Sequence, residues 1–253
     1  MKLHFKKSGK GQPIIILHGL FGMLDNWQSI ANKLSDDFEV WLVDQRNHGH
    51  SPHSNEHSYD LMADDLKTLI DEYSIGNPVV VGHSMGGKTV MRFAQKYPDL
   101  AAGIVIVDIG MKQYPIHHDT IVEALKCVPV DEITSRPEAE EYLKKHISEA
   151  GIRLFLLKNL NRKKEGGYNW RFNLPVLEKE MSKIVAGLPE DHSEVEALFI
   201  YGTHSNYIRN EDMPQLKKVF PNARFESLEA GHWLHAEKPA EVLSLISAFA
   251  TIA

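Results

Sequence analysis

The chain has 253 residues, a formal net charge of −6, and 43% hydrophobic and 25% charged residues, which excludes a disordered, collagen-like or coiled-coil protein and, with an acidic balance, weighs against a nucleic-acid partner. A single cysteine, Cys127, excludes an intrachain disulfide framework. The opening MKLHFKKSGKGQ lacks the apolar core of a signal peptide and no apolar run approaches the ~20 residues that span a bilayer, so a cytoplasmic protein with no membrane span is expected.

Short apolar runs alternate with amphipathic segments. Pro13–Leu17 reads as a buried strand, and Trp27, Ile30, Ala31 and Leu34 recur at helical spacing. Phe38–Asp44 is a second strand, followed by a helix around Asp60–Tyr73. Pro78–Gly82 is a strand, Lys88–Tyr97 a helix that stops before Pro98, and Gly103–Asp108 a strand again. Continuous Val/Ile runs separated by helical patterns predict a mostly parallel sheet covered on both faces, hence an α/β, doubly wound fold. The alternation breaks between Met111 and His192, where helical patterns follow one another at Asp119–Val128, Glu138–Ser148, Ile152–Leu160 and Pro175–Ala186, with Asn161–Trp170 as a loop or hairpin. The sheet pattern resumes at Ala197–Gly202, then come a helix around Glu211–Phe220, the strand Arg224–Leu228 and a last helix from about Pro239. The chain therefore divides into a core of residues 1–110 and 193–253 and a helical cap at 111–192, inserted between two strands.

GHSMG at Gly82–Gly86 matches G-x-S-x-G and stands between the strand PVVVG and the helix GKTVMRFAQKY. That strand–turn–helix setting is a nucleophile elbow: the tight turn raises the Ser84 hydroxyl above the sheet, and the glycines allow strand and helix to approach. The helix N-terminus adds free N–H groups and a partial positive charge. HGLFG at His18–Gly22 follows the first long strand, so the backbone N–H groups of Leu20 and Met85 are the expected oxyanion hole. His18 itself is read as a structural histidine.

A serine hydroxyl needs a base, and 14 histidines compete for that role. His232, in EAGHW between the last strand and the last helix, can return to the sheet edge that carries Ser84. His235 packs or caps the last helix in this reading. His48, His50, His53 and His57 share a polar loop without the carboxylates or cysteines of a metal site, and no metal or cofactor is expected. His117 and His118 are taken as solvated. The acid is less direct. It commonly follows the strand after the cap, but YGTHSNYI there has no carboxylate, and Ser205 stands near the expected place. Asp108, ending GIVIVD on the edge that holds Ser84, is the first choice. Asp212 and Glu211 are alternatives, and Asp44 is read as structural.

The set HGLFG, LDNW, DQRNHGHS, GHSMGGK, VDIG, FLLKNL, WRFNLPVL and GHWLHAEKP, in this order and covering nearly the whole chain, resembles the α/β-hydrolase fold superfamily. Within it the chain is similar to a small group of bacterial carboxylesterases and acyl-CoA thioesterases and their mitochondrial abhydrolase-domain relative. The resemblance implies Ser84 as nucleophile, His232 as base and Asp108 as acid. It implies hydrolysis of small to medium acyl esters or thioesters. Carbon–carbon bond hydrolysis or a lyase reaction on the same three groups, and slow turnover in a ligand receptor, remain open alternatives. In the cap, Phe155, Trp170 and Phe172 are expected to bind the acyl group. Lys158, Arg162, Lys163 and Lys164 are either a solvated charge run or contacts for the phosphates of an acyl-CoA.

Overall fold

The computed structural model describes residues 1–115 and 119–252; His117 and His118 lie outside them. Its strands are β1 (Phe5–Ser8), β2 (Pro13–Leu17), β3 (Glu39–Val43), β4 (Val79–His83), β5 (Gly103–Val107), β6 (Leu160–Arg162), β7 (Tyr168–Trp170), β8 (Ala197–Gly202) and β9 (Ala223–Leu228). Seven of them form one sheet in the order β1-β3-β2-β4-β5-β8-β9, while β6 and β7 make a separate antiparallel hairpin. Every pair from β3 to β9 is parallel, and only β1 runs antiparallel, on β3. β1 has no counterpart in the apolar pattern. Its sequence FKKS is short and carries two lysines, composition that suits an exposed sheet edge and hides it from a hydrophobicity reading.

The helices are α1 (Gln28–Leu34), α2 (Tyr59–Glu72), α3 (Met85–Lys96), α4 (Asp119–Lys126), α5 (Arg136–Lys144), α6 (Ala150–Leu157), α7 (Leu174–Lys179), α8 (Met181–Val185), α9 (Met213–Val219), α10 (Leu234–Glu237) and α11 (Pro239–Ile252). Alternation along the strands separates two cores. Ile14, Ile16, Val79, Val81, Val105 and Val107 pack with α1 and α11. Ile15, Leu17, Val80, Ile104 and Ile106 face the other way, toward α2, α3 and α9. α2 shows how the sequence writes one such helix. The Ser58 hydroxyl caps it by accepting the Leu61 N–H at 3.4 Å, and Met62, Leu66, Leu69 and Ile70 recur on its buried face.

The insertion between β5 and β8 contains α4 to α8 and the hairpin β6–β7. Between Asn161 and Trp170 the open choice resolves to a hairpin, and the helix expected over Pro175–Ala186 is two helices broken at Glu180. The insertion is fastened to the sheet body by polar contacts. Asn173 N–H donates to Asn47 O at 2.8 Å, Asn159 Nδ2 to Phe21 O at 2.8 Å, and Tyr59 hydroxyl to Ile184 O at 2.6 Å. No described helix is long and apolar enough to cross a membrane.

Candidate active site

β4 and β5 are adjacent parallel strands with His83 paired to Val107, so Ser84 and Asp108 emerge at the same level beyond their ends. Both carry left-handed backbone, φ 52° at Ser84 and φ 51° at Asp108. For residues other than glycine this conformation is strained, and it persists only where the surroundings impose it. At Ser84 they do so closely. A Cβ at Gly86 would lie 2.6 Å from Leu17 O and 2.7 Å from His18 O, and one at Gly82 would meet the backbone of Gly86 and Gly87. Strand and helix can approach this way only through glycine.

Asp108 is fully buried and its carboxylate accepts three hydrogen bonds: Gly202 N–H at 3.0 Å on Oδ1, and the Ser205 hydroxyl at 2.5 Å and His232 Nδ1 at 2.7 Å on Oδ2. Donation from Nδ1 leaves Nε2 of His232 unprotonated in the neutral ring, the form that can receive a proton. The His232 side chain is 22% exposed, open enough to meet a substrate. Its carbonyl accepts from His83 Nε2 at 2.9 Å, and its ring stacks on Tyr207 with centroids 3.9 Å apart. Gly231 N–H donates to Glu237 at 2.8 Å, which holds the same loop to α10. His235 stacks on Trp27 at 4.6 Å, and burial lowers its pKa to about 3. The alternative acids lie elsewhere: Asp212 accepts from Lys112 at 2.6 Å and Arg209 N–H at 2.8 Å, and exposed Glu211 pairs with Arg209.

Ser84 opens into a small cavity of about 30 Å³. Met85 and Leu20 line it, with Ile109, Ile184 and Val185 as further apolar wall. Tyr59, Tyr114, Pro115, Tyr207 and Lys88 complete it. Met85 is the first residue of α3, where N–H groups have no intrahelical acceptor. The loop carrying Leu20 is stiffened from several sides. His18 bonds Gly19 O through Nδ1 at 2.8 Å and accepts Gln45 N–H through Nε2 at 3.1 Å. His48 accepts Phe21 N–H at 3.2 Å and bonds Arg46 O at 2.9 Å. Both histidines are buried, and burial lowers their pKa values. His48 is thus committed to the backbone. Asp44 likewise accepts the N–H groups of Leu24 and His50, each at 2.8 Å, a structural role. No group of three or more His, Cys, Asp or Glu positioned for a metal occurs among the described residues.

The walls of this cavity differ from those expected. Phe172 is 2% exposed and packs between Phe21 at 5.1 Å and Trp170 at 5.4 Å, so it belongs to the core that joins insertion and body. Trp170 is buried in the same stack, and Phe155 lies against Trp233 at 4.9 Å. None of the three lines the cavity at Ser84; Tyr59, Tyr114, Tyr207 and Lys88 do so instead. The aromatic residues of the insertion are as apolar as a binding wall would be, and only the fold tells packing from lining. Of the basic run, Lys163 is paired with Asp131 at 2.5 Å. His83, Tyr207 and Lys88 have no role in the sequence reading, which names Ser205 only as standing near the place expected for the acid. Of the residues with no role in that reading, Lys88 had a local signal, a charge one helical turn after Ser84 on the buried face of α3.

The model of the alpha/beta hydrolase fold matches residues 12–131. The chain is 38% identical over 256 residues to the sn-1-specific diacylglycerol lipase ABHD11 of Danio rerio, an alignment that spans 97% of this chain and 80% of that protein. It is 38% identical to esterase YbfF of Escherichia coli (strain K12) over 92% of this chain and 91% of that one. A solved structure titled marine microorganism esterase matches with TM-score 0.96 and 41% identity, covering 98% of this chain and 99% of that chain.

Proposed function

The chain belongs to the alpha/beta hydrolase fold family, and from that premise we propose that it is a serine hydrolase cleaving carboxylic esters or thioesters of small to medium acyl groups through an acyl-enzyme on Ser84. The observation that carries the reading is the 2.7 Å bond from His232 Nδ1 to the buried Asp108 carboxylate, beside a cavity that Ser84 enters from a strained elbow. His232 Nε2 takes the Ser84 proton as Oγ attacks the acyl carbon. The Leu20 and Met85 N–H groups receive the negative charge that develops on the carbonyl oxygen, a term of ~3–4 kcal/mol per donor in comparable sites. The protonated ring then gives its proton to the leaving alcohol or thiol. A water molecule, deprotonated by the same nitrogen, attacks the acyl-enzyme, and the acid leaves as Ser84 recovers its proton. Asp108 holds the ring in the required tautomer and offsets its transient charge. The apolar residues that line the cavity at Ser84 suit an acyl group, and the names of the relatives, a lipase and an esterase, agree with ester substrates.

Replacing Ser84 with alanine is expected to lower kcat on p-nitrophenyl butyrate by a factor on the order of 10⁴–10⁶. Mass spectrometry of protein treated with a fluorophosphonate should locate the adduct on Ser84. Undiminished turnover in the alanine variant, or labelling elsewhere, would refute the assignment.

A further inference from the structure

Lys88 is the most unusual member of the cavity wall. It is 1% exposed and ranks among the largest fully buried side chains of the protein. Its Nζ donates to Lys112 O at 3.0 Å and to Ala186 O, and stands 4.9 Å from the centre of the Tyr114 ring and 5.7 Å from that of Tyr59. None of these neighbours carries a negative charge. The hydroxyls of both tyrosines are already spent, Tyr59 on Ile184 O and Tyr114 on Tyr207 O. The nearby Lys112 has its own carboxylate, Asp212 at 2.6 Å, whereas no ion pair to Lys88 exists among the described residues. Burial, with no opposing charge to offset it, brings the Lys88 pKa down to about 7.

An ammonium has three donors, and two are engaged, leaving one without a partner among the described residues. A buried cation lacking a counter-ion is unfavourable, and a residue such as methionine would fill the same space without that penalty. The missing charge is supplied if the ligand brings it. Lys88 lies one helical turn beyond Ser84, about 6 Å along the α3 axis, and both line the same cavity. We propose that Lys88 is a specificity-determining residue that receives a carboxylate at the far end of the acyl group, so that the preferred substrates are half-esters or half-thioesters of short dicarboxylic acids. This rests on the reading of Ser84 as the site of ester cleavage. The ester carbonyl lies at Ser84 and a chain of two or three methylenes reaches toward Nζ between apolar walls that include Ile109, Ile184 and Val185. The reaction itself is unchanged: water is consumed, the alcohol or thiol leaves with a proton, and a dicarboxylic acid is released.

The test compares monoethyl glutarate with its neutral isostere, ethyl 4-carbamoylbutanoate, by product quantification. Wild-type protein is expected to favour the anion at least tenfold in kcat/KM, and Lys88→Met to lower the ratio of anionic to neutral kcat/KM about 100-fold. A wild-type ratio near one, or a ratio that survives the substitution, overturns the proposal. Because the variant can fail to fold, the wild-type melting temperature provides a second reading. Glutarate should raise it and glutaramide should not; equal effects of the two also overturn the proposal. If glutarate stabilises selectively while no ester, p-nitrophenyl butyrate included, is hydrolysed, the carboxylate site stands and the assignment of ester cleavage falls.

Discussion

Asp108 collects three donors on one buried carboxylate, from the backbone at Gly202, the Ser205 hydroxyl and His232. Ser205 occupies the place where the chain pattern pointed to an acid, and its hydroxyl instead donates to the Asp108 carboxylate. Asp108→Asn keeps the shape but offers an N–H to His232 Nδ1, which forces the wrong tautomer. A loss of about 10⁴ in kcat is expected. Asp212→Asn disturbs bonds from Lys112 and from the Arg209 N–H, away from Asp108 and His232, and should change kcat less than about threefold. Steady-state kinetics on the two variants decides the matter, and the reverse ranking would move the acid to Asp212. The meeting of Asp108 with His232, and the emergence of Ser84 beside them, was legible because Ser84 and Asp108 each directly follow a strand-like run, His232 comes four residues after the last one, and the ends of parallel strands share one edge. Tyr207 and His83 were not, since their meeting with His232 depends on how distant loops fold back over that edge.

The loop from His18 to Gly22 is the element on which the proposed oxyanion hole depends, and one of its supports comes from the insertion. Asn159, fully buried between α6 and β6, donates through Nδ2 to Phe21 O. Asn159→Ala removes that donor at a cost of about 1–3 kcal/mol, which for a chain of this size lowers Tm by about 2–10 °C. Because Phe21 adjoins Leu20, kcat should fall several-fold while KM changes little. Calorimetry with kinetics on p-nitrophenyl butyrate checks both, and a normal kcat at reduced Tm would mean that the contact is purely structural. Elements with a strong apolar pattern were placed well by the sequence: β2, β4, β5 and β8 each lie where an apolar run predicts. The break between α7 and α8 escaped notice because Glu180, at the junction, leaves the apolar spacing uninterrupted.

Across the whole molecule, buried histidines set the response to acid. His18, His48, His57, His83 and His235 are all shifted below the ordinary histidine value, with burial as the first cause, His57 to about 4 and His235 to about 3. Folded, they stay neutral where the unfolded chain takes up protons, so stability falls as pH drops from about 6.5 toward 4. Each contributes up to about 1.4 kcal/mol per pH unit. Lys88 acts at the other end: with its folded value near 7, the unfolded chain holds the extra proton up to about pH 10.5, and stability from this group rises over that interval. Urea unfolding midpoints measured from about pH 4 to 9 should therefore climb steeply through the acid range; a flat profile below pH 6.5 would contradict the buried, neutral histidines. The doubly wound plan was readable from the spacing of Val/Ile runs, whereas the neutrality of these rings was not, because burial of a histidine in a polar loop depends on tertiary packing.

The placement of Asp108 on β5 has an evolutionary corollary. Nucleophile and acid, on the proposed assignment, are delivered by two neighbouring strands with a single short crossover between them, all upstream of residue 111. Only the histidine arrives from beyond the intervening helices. Those helices can lengthen, shorten or be exchanged by grafting without disturbing the register between Ser84 and Asp108, so the scaffold is free to acquire new selectivity by trading one contiguous stretch of chain.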